Sequence, residues 1–250
     1  MTSLRPPPAP ALPQLESRGL AELDDDLLRR FYVAVLQPTF PPEELVSYDA
    51  LRHGLRRCGS GGVVLLDGSS PVAGVVTEDY LDGRVRLVCY LAVAAAARSS
   101  GLGPRLLEAA LADGAPGQLV LAEVEDPRYH PVTATNDPVA RLRFYHRIGA
   151  RLLPLRYVQP ALRPGLPRVE HLLLVAVGTP PADVPGALVA DFLTEYYGAC
   201  EGEEVCRSDV GFLGLRAEAS DARDGRLPLL DLGPVLASPP ARSSAGGGQG

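Results

Sequence analysis

The sequence predicts a mixed α/β fold, a largely antiparallel sheet flanked by helices. Three observations predict it: two helical segments open the chain, a meander of short strands follows, and strand and helix then alternate only twice before two last strands. A doubly wound sheet would repeat the strand–helix unit throughout. With 250 residues, 46% of them hydrophobic, the chain can bury one sizeable core, or one domain with an appendage.

The elements follow in order. Residues 1–14 are proline-rich and read as a disordered N-terminus. Asp24 to Leu36 reads as a helix, because Leu27, Leu28, Phe31 and Val35 share one face and the acidic start suits the helix dipole. Pro38, Pro41 and Pro42 end it. A second helix is expected from Glu43 to Arg57, on a stripe of Leu45, Tyr48, Leu51 and Leu55. Strands are expected at Val63 to Asp67, Val72 to Glu78 and Arg84 to Val93. In the last of these, Val85, Leu87, Cys89, Leu91 and Val93 would share one face by the period of two. A helix over Pro104 to Asp113 follows, with proline tolerated in its first turn. Then come a strand over Gln118 to Glu125, a loop over Arg128 to Asn136 and a helix over Pro138 to Ile148, closed by Gly149. Strands over Arg151 to Val158 and Val169 to Val177 and a late helix over Asp183 to Tyr197 complete the pattern. The expected organisation is a single domain over residues 15–231, with a C-terminal extension from about residue 160. Residues 232–250 are expected to form a disordered tail.

Composition narrows the function. A net charge of −6 and arginines scattered among apolar residues, without a basic stripe, argue against a nucleic-acid partner. No apolar run is long enough to cross a membrane, and the opening residues lack the apolar core of a secretory signal, so a cytoplasmic protein is expected. The four cysteines, Cys58, Cys89, Cys200 and Cys206, form no CxxC pair, and the 4 histidines are dispersed. No metal site is expected. Cys200 and Cys206 are near enough in sequence to bridge.

The segment RSSGLG, Arg98 to Gly103, lies between a strand and a helix. A phosphate cradle needs backbone N–H groups exposed near a helix N-terminus, and side chains at its tight positions would block the approach. Gly101 and Gly103 satisfy the second condition; Arg98, Ser99 and Ser100 can add donors. The alternative is a glycine-rich turn before a core helix. Neither GxxxxGK nor GxGxxG is present.

These residues resemble the coenzyme-A-binding core of the GNAT superfamily of N-acetyltransferases. That family carries a Gln/Arg-x-x-Gly-x-Gly/Ala loop, matched by Arg98, Gly101 and Gly103, and a later helix whose Tyr precedes a closing Gly, matched by Tyr145 and Gly149 in RLRFYHRIGA. The resemblance covers roughly residues 25–160. It implies a largely antiparallel sheet of about seven strands and acetyl-CoA as co-substrate. The coenzyme would be held by Leu91, Ala92, Val93, Arg98, Ser99, Ser100, Gly101, Leu102, Gly103 and Pro104, with the pantetheine arm against the backbone of Ala92 and Val93. It also implies Tyr145 as the acid that protonates the departing thiolate or hydrogen-bonds the sulfur. A buried core tyrosine is the other reading of Tyr145, and Tyr157 is a weaker competitor. Asn136 and Asp137 stand slightly out of register with the family's Asn.

Relatives place a Glu on the strand that here runs from Arg84 to Val93; this chain has none, which leaves the base open. Glu123 and Glu125 share a strand face and could act as base or clamp a cationic substrate; alternatively they pair with arginines such as Arg84 or Arg86. Glu78 and Asp79 form a second acidic cluster on the expected acceptor side. His130 reads as a surface residue, His146 as outward-facing and His171 as a strand residue alternating with Glu170. Cys89 reads as core.

Phe31, Tyr32, Phe40, Tyr129 and Tyr157 are available to line an acceptor pocket. The acidic residues favour a small-molecule amine, although Arg128 and Arg156 could bind a carboxylate. The expected activity is acetyl transfer from acetyl-CoA to a primary amine. Two alternatives stand beside it: a longer-chain N-acyltransferase making N-acyl amino acids from acyl-CoA or an acyl carrier protein, and a non-catalytic acyl-CoA sensor. The extension could cap the sheet, enlarge the pocket or form a homodimer.

Overall fold

A computed structural model describes residues 15–57, 59–98, 100–112, 114–133, 136–221 and 223–239. Cys58, Ser99, the proline-rich residues 1–14 and the chain beyond 239 lie outside the described residues. A mixed sheet of seven strands runs through the molecule. Its strands are β1 (Glu16–Gly19), β2 (Ser60–Asp67), β3 (Ser70–Tyr80), β4 (Val85–Val93), β5 (Leu119–Glu125), β6 (Arg151–Leu152) and β7 (Leu172–Ala176). Their spatial order is β1-β2-β3-β4-β5-β7-β6. All neighbours are antiparallel except β4 and β5, which are parallel and joined through a helix. β1 is a short edge strand that the sequence pattern did not reveal.

Helices cover both faces. On one face lie α1 (Asp25–Phe31) and α2 (Tyr48–Leu55) over the β2–β4 half, and α5 (Gly186–Glu201) and α7 (Val210–Ser220) over the β5–β7 half. On the other lie α3 (Leu102–Ala112), α4 (Pro138–Arg147) and α8 (Gly233–Ala237). The short α6 (Glu203–Ser208) links α5 to α7, and a two-stranded ribbon pairs β8 (Asp183–Pro185) with β9 (Arg226–Pro228).

Five expectations are corrected. The second helix begins at Tyr48, five residues late, because the Ser47 hydroxyl accepts a hydrogen bond from the Ala50 N–H and caps it there. Leu45 is extended, and Pro42–Glu44 forms a separate 3₁₀ turn. The strand expected over Arg151 to Val158 is only Arg151–Leu152, and β7 starts at Leu172. His171 is not a strand residue: its φ is +60°, and its ring stacks on Tyr129 at 4.0 Å. Residues from 232 to 239 are not a loose tail. Leu232 is fully buried, and α8 packs its Val235 into the core beneath α4.

The fifth correction bears most directly on the site. Val76 pairs with Tyr90 but Thr77 pairs with Val88, so Cys89 is an extra residue, a β-bulge in β4. The bulge breaks the period of two. Val85 and Leu87 pack toward α5, whereas Leu91 and Val93 pack toward α3. The five residues expected on one face are therefore divided between two. At the same point β4 leaves its parallel neighbour. Val85 to Val88 pair with Leu119 to Ala122, after which Cys89 to Val93 and Glu123 to Glu125 have no pairing with each other. A wedge-shaped opening results in the centre of the sheet.

Candidate active site

The wedge is bordered by two cavities that share the residues Cys89, Glu123 and Gln159. The smaller, ≈ 40 Å³, lies between β4, β5 and α4 and is lined by Leu91, Tyr145, Glu44, Glu125 and Arg141 among others. The larger, ≈ 250 Å³, lies between α2, the β3–β4 hairpin and α5, and its walls include Glu78, Tyr80, Tyr90, Tyr196 and Cys200. The structure thus brings together Tyr145, Glu123, Glu125 and Glu78, which lie far apart in sequence.

The RSSGLG loop leads into α3, which begins at Leu102. Gly101 has φ +76°, and a Cβ there would meet no atom within 4 Å, so its outer side is open. Only glycine adopts this conformation without strain. Gly103 serves a different end: a Cβ would stand 3.3 Å from the Phe144 ring, so its small size lets α3 approach α4. The Leu102 side chain is core, 3% exposed, and only its backbone could face a ligand. The Ser100 hydroxyl donates to the Ala97 carbonyl at 2.5 Å, and Arg98 is exposed with its Nε 3.5 Å from the Val93 carbonyl. Pro104 occupies the first turn of α3 and is exposed. Ala92 is buried and Leu91 and Val93 are half-buried along the opened edge of β4.

Tyr145 is buried against the wedge, and its hydroxyl has no hydrogen-bond partner among the described residues. Burial pushes its pKa up to about 12, partly offset by Arg141. The hydroxyl therefore stays protonated at neutral pH and can donate.

The carboxylates differ in their surroundings. Glu123 is held by neutral donors only: the Tyr157 hydroxyl, the Gln159 amide at 2.6 Å and the Tyr196 hydroxyl at 3.4 Å. Burial raises its pKa, and these three hydrogen bonds oppose the rise. Tyr157, itself buried, is committed to Glu123 rather than to a thiol. Glu125 instead meets Arg141 at 2.6 Å and the Asn136 amide at 2.8 and 2.9 Å, with His130 at 3.6 Å. It ties the loop after β5 to α4, whose N-cap is Asp137. Arg84 and Arg86 pair with neither Glu123 nor Glu125. Arg86 forms a bidentate pair with Asp79 at 2.7 and 2.8 Å and also donates to the Ala110 carbonyl. Glu78 and Asp79 therefore do not form one cluster. The period of two sends Asp79 to the α3 face and leaves Glu78 on the larger cavity, where Tyr80 donates to it at 2.9 Å.

Other expectations resolve as follows. His130 is half-buried beside Glu125 rather than a surface residue, while His146 faces outward near Asp231. Cys200 and Cys206 are unbridged thiols. Of the aromatic residues proposed for an acceptor pocket, Phe31 is wholly within the core under α1, and Tyr129 lies outside on His171. Phe40 lines the smaller cavity, edge-on to Tyr90.

Glu44 is the site residue that sequence reasoning missed. Nothing in PPEEL separates it from Glu43. Its position comes from two tyrosines that clamp the adjoining backbone: Tyr32 donates to the Val46 carbonyl at 2.8 Å, and the Val46 N–H donates to the Tyr90 hydroxyl at 3.0 Å. Burial, reinforced by Glu125, lifts the Glu44 pKa to about 7.

No family model and no curated protein matches the chain. Solved structures do. An acetyltransferase described as of the GNAT family from Bacteroides thetaiotaomicron is 26% identical with a TM-score of 0.50, over 63% of this chain and 84% of that one. The loading GNAT-like domain of CurA from Lyngbya majuscula is 18% identical with a TM-score of 0.46, over 65% and 96%. A Bacillus subtilis acetyltransferase in complex with CoA is 13% identical with a TM-score of 0.44, over 67% and 100%. No helix among the described residues is long and apolar enough to cross a membrane. With its bulged β4, its wedge beside the parallel β4–β5 pair and the likeness to the Bacteroides protein, the chain belongs to the GNAT superfamily of acyl-CoA-dependent N-acyltransferases.

Proposed function

We propose that the protein transfers an acetyl group from acetyl-CoA to a primary amine of a small molecule. The observation that carries this reading is the pair of cavities meeting at Cys89, Glu123 and Gln159, one reaching Leu91 of the opened β4 edge and Tyr145, the other reaching Glu78 and Tyr196. The pyrophosphate would rest on the backbone of the loop at the start of α3, with Arg98 and Ser99 as further donors, while the Ser100 hydroxyl is committed to the Ala97 carbonyl. The pantetheine arm would follow Leu91 to Val93 into the wedge. Aligning two bound substrates across the wedge would supply much of the rate.

The amine nitrogen attacks the thioester carbonyl carbon, the carbon–sulfur bond breaks, and the amide forms. The proton lost by the amine passes to a carboxylate, directly or through water. Glu78 and Glu123 border the acceptor cavity, and Glu44 has a pKa suited to proton exchange near neutrality. Glu125 would act through its contacts, holding Arg141 and the loop in place. Tyr145 gives its proton to the departing thiolate.

The test is a primary-amine library incubated with acetyl-CoA, following free thiol. Thiol release that requires both protein and amine is the expected result. Calorimetric coenzyme binding without turnover of any amine would instead favour a sensor.

A further inference from the structure

Gln159 is 5% exposed, and it is a lining residue of both cavities. Its Nε2 donates to Glu123 at 2.6 Å, and its backbone N–H and carbonyl exchange hydrogen bonds with Val169 at 2.9 and 3.1 Å. Its side-chain carbonyl, Oε1, is buried and has no hydrogen-bond partner among the described residues. Turning the amide over would press that oxygen against the Glu123 carboxylate, so Glu123 fixes which end remains unpaired. A buried acceptor without a donor is costly, and native proteins retain few of them.

The larger cavity offers what such an acceptor would share. Its walls include the carboxylates of Glu78 and Glu123 and no arginine, and the rest is largely apolar, with Ala50, Leu51 and Leu162. Glu123 already accepts three hydrogen bonds, all from neutral groups, and no arginine or histidine among the described residues pairs with it. A primary ammonium carries three N–H donors. Gln159 Oε1, Glu123 and Glu78 supply three acceptors of matching polarity. A carboxylate entering the same space would face two carboxylates with no cation to offset them.

We propose that Gln159 is the acceptor-recognition residue, its side-chain carbonyl taking one N–H of the incoming ammonium. The cleft then selects a compact primary amine with an apolar body and no carboxylate. This rests on the acetyl-transfer reading above.

The experiment compares matched acceptors, an arylalkyl or alkyl primary amine against the α-amino acid with the same side chain. Thiol release is measured for the wild-type protein, Gln159→Leu and Gln159→Met, with acetyl-CoA affinity measured calorimetrically. The wild type is expected to favour the amine in kcat/KM by roughly tenfold or more, because the amino acid's carboxylate would enter a cleft that already holds Glu78 and Glu123 and no arginine. In the variants KM for the amine should rise roughly tenfold, the scale of one hydrogen bond to a charged group, with coenzyme affinity little changed and kcat falling by less than KM rises, since Glu123 also loses a donor. A purely structural role would lower kcat and thermal stability together instead. Unchanged amine KM in a folded variant, or equal use of the amino acid by the wild type, overturns the assignment. If neither variant folds, the wild-type comparison still decides it. Absence of coenzyme binding and of turnover with every amine would overturn the transfer reading itself, and this assignment with it.

Discussion

Tyr145 and Glu44 meet the same wedge from opposite chemical needs. Tyr145 must keep a proton until a thiolate appears; burial without a hydrogen-bond partner does this by disfavouring the phenolate. Tyr145→Phe is expected to cut turnover by roughly a hundredfold, in the range of a lost general acid, while acetyl-CoA affinity stays nearly constant. Equal turnover would remove Tyr145 from the chemistry. Glu44 carries the converse requirement. Its folded pKa, about 7, lies above the ordinary 4.5, so the folded state holds a proton that the unfolded chain releases between those values. Stability therefore falls as pH rises through that window, and the contribution is complete only below it. Glu44→Gln should be more stable than the wild type above pH 7, with the advantage fading in acid. Urea unfolding at both ends of the window checks this, and parallel pH curves for the two proteins would refute it. If Glu44 also takes the amine proton, kcat/KM should climb through pH 7 and the variant should flatten that climb.

At the scale of elements, the wedge arises from a bulge and a parallel pairing. The extra residue at Cys89 turns β4 just where β5 stops pairing with it, and the opened edge faces the loop that starts α3. Gly101 keeps that loop's outer side open in a left-handed conformation. Gly101→Glu would place bulk and negative charge at the cradle and is expected to abolish acetyl-CoA binding. Coenzyme affinity retained in a folded variant, measured by calorimetry, would show that the cradle lies elsewhere. The strand–loop–helix at RSSGLG was legible because two glycines and an arginine stand at fixed spacing between an apolar strand and an amphipathic helix. The bulge was not legible. Nothing in RVRLVCYLAV marks the residue at which the period of two fails, since the apolar run reads equally well on either face.

At the scale of the molecule, one sheet carries helices on both faces, and the segments after residue 160 close both layers. α5 and α7 complete the apolar layer over β5 and β7, and Tyr196 from α5 reaches Glu123. α8 completes the opposite layer beneath α4. Because Leu232 is wholly buried there, Leu232→Ala is expected to destabilise the protein by about 2–5 kcal/mol in urea unfolding. A loose tail would make the substitution neutral.

The sequence by itself determined the fold class, the order of most elements, the phosphate-cradle candidate and the tyrosine of the later helix. Each of these is written in local periodicity or short spacing, within reach of neighbouring residues. Only the tertiary structure decided that Glu123 is held by neutral donors while Glu125 binds Arg141. It alone sent Asp79 to the face opposite Glu78, and it alone brought half-buried Glu44 and buried Gln159 to the wedge. Those outcomes depend on groups far apart in the chain, such as Glu123 and Tyr196, 73 residues apart. A carboxylate's chemistry is set by the charges, donors and solvent around it, and folding assembles those from distant segments.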